Sequence, residues 1–403
     1  MNGMMRLLAL LTLLFAAAPA ATQPLQLGID ILLAEQSEVL TGKHIGLVTN
    51  AAAVDAQYRS TIDRLTSAPG VRLVALFGPE HGARGDAQAG AEVADARDVA
   101  TGLPVYSLYG QAREPTPAML SGIDLIIVDL PDVGARTFTY AATVAGVLRA
   151  AKRENIAVMV LDRPNPIGGV LVEGPMLDPA FTSFVGPFPM PMRHGMTMGE
   201  LARLFNAELG INADLTVMAM RGWRRDGAGE VAPWVSPSPN MPTPDTALVY
   251  PGMVLVEGTN LSEGRGTTHP FEVVGAPYID PAALAAAMNA LALPGVRFRP
   301  IWFTPSASKY AGQQIGGVQV HVTDRAAYCP VRTAVVLLQA VARLYPADFR
   351  IEGGSHSFFD RLAGNSWLWW DILSQQDWPT IEARDKAALE QFMRQRARAL
   401  LYR

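Results

Sequence analysis

Continuous apolar runs dominate the hydrophobic pattern in the first half of the chain. Four such runs precede polar loops, at residues 44–49, 71–77, 124–129 and 157–161. Runs without polar alternation are typical of strands that are buried on both faces, as in a parallel sheet. Helical segments are expected between them at residues 60–66 and 141–154, and a further strand at 215–220. This alternation predicts an α/β fold with a doubly wound sheet.

The pattern changes after about residue 222. Four prolines within residues 237–244 mark a turn-rich boundary. Beyond it we predict strands at residues 248–250, 254–257, 296–303 and 317–322, and helices at residues 281–291, 331–344 and 381–401. The chain is therefore expected to form a mostly parallel sheet domain at residues 24–225 and a smaller, mixed α/β domain at residues 226–403.

The N-terminus has the pattern of a secretory signal peptide. Arg6 is followed by an apolar run at residues 7–18, and Ala18-Pro19-Ala20 fits the small-x-small cleavage rule. The run is too short for a transmembrane helix, which needs about 20 apolar residues. We predict a signal peptide at residues 1–20 with cleavage near Ala20, although an uncleaved anchor would share this pattern. After cleavage we expect no stable membrane insertion.

Composition narrows the location and the class of partner. Cys329 is the only cysteine, so no disulfide can form within the chain. A large exported protein without disulfides fits a bacterial envelope, and we expect it to be periplasmic or secreted. The formal net charge of -4 gives no sign of nucleic-acid binding.

Polar residues follow each of the predicted parallel strands. These loops begin at Asn50, at Gly78, at Asp129 and at Asp162. Because the carboxyl ends of parallel strands share one edge of the sheet, we expect all four loops to project into one crevice. Glu80, held between Pro79 and His81, is the strongest candidate for a general acid in this crevice.

Acid–arginine combinations in the same loops have a structural alternative. Asp132 with Arg136, and Asp162 with Arg163, could equally be ion pairs that steady the loops. In the second domain, residues 257–272 fit neither helical nor strand periodicity. This polar loop carries two glutamates and an arginine, which is more typical of a binding surface than of packing.

Other chemistries have weak support. His81, His194, His269 and Asp86 could form a metal site, but no paired metal-ligand spacing is present. Residues 306–309 match S-x-x-K, without the other elements of the serine enzymes that use it. Neither G-x-x-x-x-G-K-[ST] nor a G-x-G-x-x-G turn after the first strand is found, which disfavours nucleotide binding.

Several long motifs resemble one family. In chain order they are GLVTN, GPEHGARGD, DVGARTFTY, LDRPNPIGG, RHGMTMGELA, PSPNMPT, YPGMVLVEGTNLSEGRGTTHPFE and GGVQVHVTD. They resemble the NamZ-type exo-β-N-acetylmuramidases, peptidoglycan hexosaminidases formerly known as a domain of unknown function. The resemblance extends from about Leu25 to the C-terminus. It implies a Rossmann-like first domain, a smaller C-terminal domain over the cleft, and release of N-acetylmuramic acid from non-reducing ends.

The resemblance also implies catalytic residues. The proposed catalytic glutamate of the GPEHG motif is Glu80, and the acid of the SEGRGTT motif is Glu263; His81 adjoins the first. Glycoside hydrolysis usually needs an acid and a second group, which could be Glu263 or the acetamido group of the substrate. No metal or cofactor is implied, and peptidoglycan-derived sugars are the expected partners.

The remaining candidates would bind the sugar. An arginine clamp suits the lactyl carboxylate of muramic acid, and Arg136 and Arg265 are the candidates for it. We expect Arg84 to point at the substrate as well. Further candidates would bind the sugar hydroxyls and the acetamido group: Asn50, Asp132, Tyr140 and Asn260.

Two other classes of protein remain open at this point. An exported, non-catalytic sugar- or muropeptide-binding protein would also have two α/β domains and a signal peptide. The tryptophans lie mostly outside the motif loops, which disfavours a stacking cleft. A metallohydrolase would lose activity in chelator. The pattern leaves the oligomeric state open.

Overall fold

The computed structural model describes residues 24–85, 95–227, 232–351 and 357–402. The predicted signal peptide at residues 1–20 and the candidate metal ligand Asp86 lie outside these ranges. Within them, no helix is both long and apolar enough to cross a membrane.

A mostly parallel sheet forms the centre of the first part of the chain. The strands here are β1 (His44–Thr49), β2 (Arg72–Gly78), β3 (Ala96–Arg97), β4 (Pro104–Ser107), β5 (Leu125–Asp129), β6 (Ala157–Leu161), β7 (Glu173–Met176), β8 (Pro191–Arg193) and β9 (Leu215–Met218). In the described residues, seven strands form the sheet in the order β3-β4-β2-β1-β5-β6-β9, while β7 pairs separately with β8. Only the pairing of β3 with β4 is antiparallel in this sheet. The strand order reverses between β1 and β5, the place where open α/β sheets bind ligands.

Helices cover both faces of this sheet. They are α1 (Gly28–Glu35), α2 (Thr61–Ser67), α3 (Pro117–Leu120), α4 (Tyr140–Glu154) and α5 (Met198–Glu208). Successive residues of β5 point to opposite apolar clusters: Leu125 packs with the side chains of α1 and α2, and Ile126 with those of α4 and α5. Burial on both faces explains why these strands have continuous apolar sequences. The predicted α/β fold is confirmed.

The second part of the chain contains a smaller antiparallel sheet. Its strands are β10 (Val273–Ala276), β11 (Val296–Phe303) and β12 (Ile315–Val322), in the order β10-β12-β11. Its helices are α6 (Pro244–Met253), α7 (Pro281–Ala290), α8 (Pro330–Leu344), α9 (Phe358–Ala363), α10 (Leu368–Leu373), α11 (Trp378–Ala383) and α12 (Lys386–Ala399). One apolar cluster continues from the first sheet into this part. The two parts therefore share a core.

Two predicted strands and one predicted helix are wrong in the second part. Residues 248–250 belong to α6, and residues 254–257 lie in a 3-10 helix. The side chain of Thr243 caps α6 by accepting a hydrogen bond from the Thr246 N–H, and the helix is apolar enough to be buried on all sides. A short apolar run cannot distinguish such a helix from a buried strand. The predicted helix at 381–401 is divided between α11 and α12, where Asp385 accepts a bond from the Met176 N–H.

Candidate active site

Glu80 stands on a tight turn at the carboxyl end of β2. His81 and Gly82 have positive φ angles of 74° and 77°, which a non-glycine residue such as His81 rarely adopts. A side chain at Gly78 would collide with the backbone, because its Cβ would lie 2.5 Å from the Ala83 nitrogen. The Gly82 N–H closes the turn on the Pro79 carbonyl at 2.9 Å. The glycines of the motif therefore fix the place of Glu80.

Polar side chains from two other loops contact Glu80. The Thr139 hydroxyl donates to Oε2 of Glu80 at 3.1 Å. Tyr109 follows β4, and burial together with the negative charge of Glu80 raises the pKa of its hydroxyl. Neither residue was predicted for the site, because neither stands out in the sequence apart from its position after a strand or in the DVGARTFTY motif.

Asn50 and Tyr140 support the Glu80 loop from the protein interior, on the side of the Glu80 backbone carbonyl. The Tyr140 hydroxyl accepts a bond from Asn50 Nδ2 at 2.8 Å and lies 3.1 Å from the Glu80 carbonyl oxygen. It also lies 2.8 Å from the carbonyl oxygen of Pro237. Both side chains are buried, and burial raises the pKa of Tyr140 well above its ordinary value. The structure gives them a positioning role and leaves little surface for the predicted contact with sugar.

A charged network occupies the loop of the second part. Arg265 Nη2 lies 2.7 Å from Oε1 of Glu257, and Arg265 Nε lies 3.4 Å from Oε1 of Glu263. The Lys309 ammonium lies 3.3 Å from Oε2 of Glu263 and donates to the carbonyl oxygens of Val256, Glu257 and Leu261. Glu263 is only 2% exposed, whereas a quarter of the Arg265 side chain is exposed. Arg265 and Lys309, whose side chains are 25% and 30% exposed, are therefore the members of this network that a ligand can reach most easily.

The charges of Glu257 and Arg265 influence each other. Burial raises the pKa of the Glu257 carboxyl above its ordinary value, although Arg265 opposes that shift. Burial alone would lower the pKa of Arg265, but the nearby Glu257 outweighs it and the pKa is raised. Arg265 therefore remains a cation beside an acid that holds its proton to a higher pH than usual.

Tyr250 and Tyr109 connect the two loops electrostatically. Burial raises the pKa of Tyr250, and the carboxylates of Glu257 and Glu80 raise it further. Arg265 lowers the pKa of both tyrosines. The loops after β2 and before β10 therefore meet, as the sequence predicted. We call the following residues the Glu80 cluster: Glu80, Tyr109, Thr139, Tyr250, Glu257, Glu263, Arg265 and Lys309.

The structure contradicts the prediction that Arg136 clamps a carboxylate. Its side chain is completely buried, and its guanidinium donates to the carbonyl oxygens of Pro175, Met190 and Leu362 at 2.8–3.1 Å. Burial lowers its pKa to about 9. Arg136 therefore joins segments of the two parts of the chain and is closed to substrate.

Arg84 and Asn260 are also committed to other partners. Arg84 donates to both carboxylate oxygens of Asp98, at 2.8 and 3.0 Å. The amide of Asn260 donates to the Asp348 carbonyl and accepts from the Tyr278 hydroxyl. These contacts tie loops together, and the substrate contacts of Arg84 and Asn260 stay predictions. His81 is buried, and its catalytic role stays a prediction.

Neither Asp–Arg combination forms the ion pair that the sequence left open as an alternative. Asp132 lies beside His194, with 3.2 Å between Oδ2 and Nε2, and Arg163 pairs with Asp129. Asp162 instead accepts hydrogen bonds from the Thr197 hydroxyl and the Gly199 N–H, at the start of α5. Neither Asp132 nor Asp162 therefore pairs with an arginine side chain.

The single crevice expected along the sheet is divided. A cavity of about 510 Å³ lies at the carboxyl ends of β1, β5 and β6, and its lining does not include Glu80. Asp132, Trp223 and Trp234 line it, so two of the tryptophans do face a pocket. Pro237 separates the two sites: it lines the cavity, and its carbonyl oxygen receives the Tyr140 hydroxyl. We call this space the Asp132 cavity.

The histidines that the sequence analysis considered for a metal site do not form such a site among the described residues. Across the described ranges, no group of three or more histidine, cysteine, aspartate or glutamate side chains could hold a metal ion. Asp86 lies outside those ranges, as stated above.

Comparison with known proteins identifies close relatives along almost the whole chain. The family models for the N-terminal and C-terminal parts of the exo-β-N-acetylmuramidase NamZ match residues 45–245 and 248–402. The chain is 49% identical, over 379 residues, to the peptidoglycan β-N-acetylmuramidase NamZ of Bacillus subtilis (strain 168); the match covers 94% of this chain and 91% of that relative.

Solved structures agree with this comparison. A DUF1343 family protein from Bacteroides fragilis NCTC 9343 is 36% identical, with a TM-score of 0.84, and the match covers 96% of this chain and all of that one. A second DUF1343 protein from the same organism is 29% identical, with a TM-score of 0.74 and coverage of 94% and 99%.

Proposed function

Because the chain belongs to the NamZ family of exo-β-N-acetylmuramidases, we propose that it releases N-acetylmuramic acid from the non-reducing ends of peptidoglycan fragments. The relative from Bacillus subtilis is named a peptidoglycan β-N-acetylmuramidase. The observation that carries the proposal for this chain is the Glu80 cluster. It brings together acids and an accessible arginine from both family motifs at the carboxyl edge of the sheet. A non-catalytic binding protein would not need acids arranged in this way.

Glu80 is the proposed general acid. It stands on a turn with fixed backbone geometry, and the Thr139 hydroxyl orients one carboxylate oxygen by a bond of 3.1 Å. A proton donor must be held within hydrogen-bond reach of the leaving oxygen, and a rigid turn provides that. Protonation of the glycosidic oxygen by Glu80 would let the bond to the anomeric carbon break.

The second group is proposed to be the acetamido oxygen of the substrate. Glu263 is almost completely buried and lies against two cations, Arg265 and Lys309. Attack on a sugar carbon would need Glu263 to leave these partners. In substrate-assisted hydrolysis, the acetamido oxygen instead attacks the anomeric carbon as the leaving group departs, and water then opens the cyclic intermediate. Glu263 would act as a positioning residue for Arg265.

Arg265 is proposed to bind the lactyl carboxylate. Its guanidinium is partly exposed, stacks over the Phe271 ring at 5.1 Å and is held in place by Glu257. Guanidinium and carboxylate form paired, charge-assisted hydrogen bonds. Arg136, the other candidate, is closed to substrate.

Turnover of two matched substrates tests the function. We expect hydrolysis of a chromogenic N-acetylmuramic acid glycoside, and much slower hydrolysis of the N-acetylglucosamine analogue, which lacks the lactyl group. A chelator in a parallel reaction distinguishes a metallohydrolase, whose activity it would abolish. Binding of the muramic acid glycoside with no turnover of either substrate would instead support a sugar-binding protein.

Export to the periplasm or beyond is also proposed. It is supported by the charged start, the apolar run and the small residues at positions 18–20. Mass spectrometry of protein from the native cell should find a mature N-terminus near Ala21. Soluble cytoplasmic protein that retains Met1 would contradict export.

A further inference from the structure

The Asp132 cavity lies where the strand order of the main sheet reverses. Its lining includes residues that follow β1, β5 and β6, namely Ala52, Asp132 and Arg163. In open α/β sheets this switch point is the usual place for a ligand. The volume of about 510 Å³ is in the range of small-molecule sites. The proposed catalytic residues use another part of the same edge, so they do not account for this cavity.

Asp132 lies in the wall of the cavity and is almost completely buried. Its side chain is 3% exposed; Oδ2 accepts a bond of 2.6 Å from the Gly134 N–H and lies 3.2 Å from His194 Nε2. Oδ1 has no hydrogen-bond partner among the residues that the structure describes. A buried polar atom without a partner is costly, so a ligand that donates to Oδ1 would gain free energy.

His194 lies against Asp132, although its Nε2 atom has no hydrogen-bond partner of suitable geometry among the described residues. The Met196 N–H donates to His194 Nδ1 at 3.1 Å, and a backbone N–H can only donate. The neutral ring therefore carries its proton on Nε2, the atom that faces Asp132. Because His194 is completely buried, it acts through Asp132 and does not itself reach the cavity. Among the described residues, the Gly134 N–H is the donor that holds Oδ2 of Asp132, and Oδ1 has no partner.

The arginines at the cavity all have carboxylate partners. Arg163 pairs with Asp129, Arg224 with Asp226, and Arg325 with Asp245. Within the described lining, Asp132 is the carboxylate without a cationic partner. A ligand with its own carboxylate would meet the negative charge of Asp132 without a free cation to offset it. The cavity therefore favours an uncharged ligand that carries hydrogen-bond donors.

The walls of the cavity are apolar and rigid. Trp234 is fixed by a hydrogen bond of 2.9 Å from Nε1 to the Pro242 carbonyl, and Trp223 packs edge-on against Tyr402 at 5.0 Å. Prolines form much of the remaining wall. A pyranose has flat C–H faces for such walls and hydroxyl donors along its edge. Apolar walls with few well-placed polar groups are typical of small-molecule sites.

From this combination we propose that the Asp132 cavity binds a neutral pyranose, whose hydroxyl or amide donors bond to Oδ1 of Asp132. The choice of N-acetylglucosamine among neutral sugars rests on the proposed function, since peptidoglycan joins this sugar to muramic acid. The Glu80 cluster and the Asp132 cavity would then have opposite preferences. The cluster takes the carboxylate-bearing sugar, and the cavity takes the neutral one.

Binding of methyl N-acetyl-β-glucosaminide tests the proposal, with tryptophan fluorescence and calorimetry as readouts. We expect saturable binding to the native protein and to Glu80→Gln with similar affinity. Asp132→Asn keeps the shape but turns the acceptor into a donor, and should weaken binding at least about tenfold. The matched control, Asp226→Asn at the exposed rim, should change affinity less than about twofold. N-acetylmuramic acid should not compete at this site.

A blocking variant keeps the test decisive if Asp132→Asn does not fold. Ala326 is exposed at the rim, so Ala326→Phe should close the cavity without disturbing the core; a thermal melt checks the fold. Affinity for the neutral sugar should be lost in this variant. Native affinity in both folded variants, loss of affinity in Glu80→Gln, or no binding to the native protein would overturn the proposal. Absence of hydrolysis with binding at the cavity intact would instead overturn the proposed function.

Discussion

The Glu80 cluster and the Asp132 cavity occupy one edge of the same sheet and differ in how charge is balanced. In the cluster, Arg265 lies against Glu257 and Glu263, and Lys309 lies against Glu263. At the cavity, the arginines of the lining are paired with carboxylates, and one carboxylate oxygen of Asp132 has no hydrogen-bond partner among the described residues. The two sites lie at the same edge of the sheet, so position alone does not distinguish them. The pairing of their charges does: it favours a carboxylate-bearing sugar at the cluster and an uncharged sugar at the cavity.

The largest effect is expected from removal of the proton at Glu80. Glu80→Gln keeps the size of the side chain but cannot protonate the leaving oxygen, so kcat should fall about 10² to 10⁴-fold. Substrate affinity should change far less, because the proton is transferred in the transition state. Steady-state kinetics on a natural disaccharide measure this. The Asp226→Asn variant changes an exposed carboxylate outside the Glu80 cluster and is the matched control, which should retain native kcat.

Arg136 should prove structural instead of substrate-binding. Arg136→Met would leave the carbonyl oxygens of Pro175, Met190 and Leu362 without this donor. We expect a loss of about 2–4 kcal/mol in the free energy of unfolding, measured by denaturant titration. The preference of the remaining folded enzyme for muramic acid should be native. A changed sugar preference with native stability would show that Arg136 binds the substrate after all.

Arg265 should have the opposite signature. A charge-assisted bond contributes about 1.5–3 kcal/mol, so Arg265→Ala should reduce the preference for the muramic acid glycoside by roughly tenfold to a hundredfold. The ratio of kcat/KM on the muramic acid and glucosamine glycosides measures it, and Arg265→Lys should restore part of that ratio. An unchanged ratio in Arg265→Ala would show that Arg265 does not bind the lactyl carboxylate.

A smaller effect is expected from pH. Burial raises the pKa of Glu257 in the folded protein, so this carboxyl contributes stability that is complete below its ordinary value of about 4.5 and is lost as pH rises through the folded pKa. Over the same rise, the new carboxylate neutralises Arg265. The KM for the muramic acid glycoside, relative to the glucosamine glycoside, should therefore increase a few-fold with pH. Glu257→Gln should flatten that increase; an equal slope in both proteins would contradict the coupling.

The sequence predicted the main sheet well because its strands are buried on both faces. Residues 44–49 and 124–129 are short, continuous apolar runs between turns, and they form the buried strands β1 and β5. Residues 248–250 have a similar run, yet they form a helix, since capping by Thr243 and burial on all sides are not visible in apolar content. Periodicity fails where an element has no exposed face.

The site was predictable only in part. Glu80 and Arg265 were identified because glycine-bounded motifs present them, and both lie in the Glu80 cluster. Arg136 lies in an equally specific motif, but a motif does not reveal whether a guanidinium faces a ligand or backbone carbonyls. Lys309 was seen only within a weak S-x-x-K match, because its partners are 46–53 residues away along the chain.

The central claim is that Glu80 donates the proton for glycoside cleavage, and the dependence on the leaving group tests it most directly. Nitrophenol is a good leaving group and needs little protonation, whereas the sugar of a natural disaccharide needs much more. The ratio of native to Glu80→Gln turnover should therefore be far larger on the disaccharide than on the nitrophenyl glycoside of N-acetylmuramic acid. Equal defects on the two substrates would indicate a nucleophile. Near-native turnover of the disaccharide by Glu80→Gln, with loss of turnover in Glu263→Gln, would place the proton donor on the loop of the second part and contradict the account.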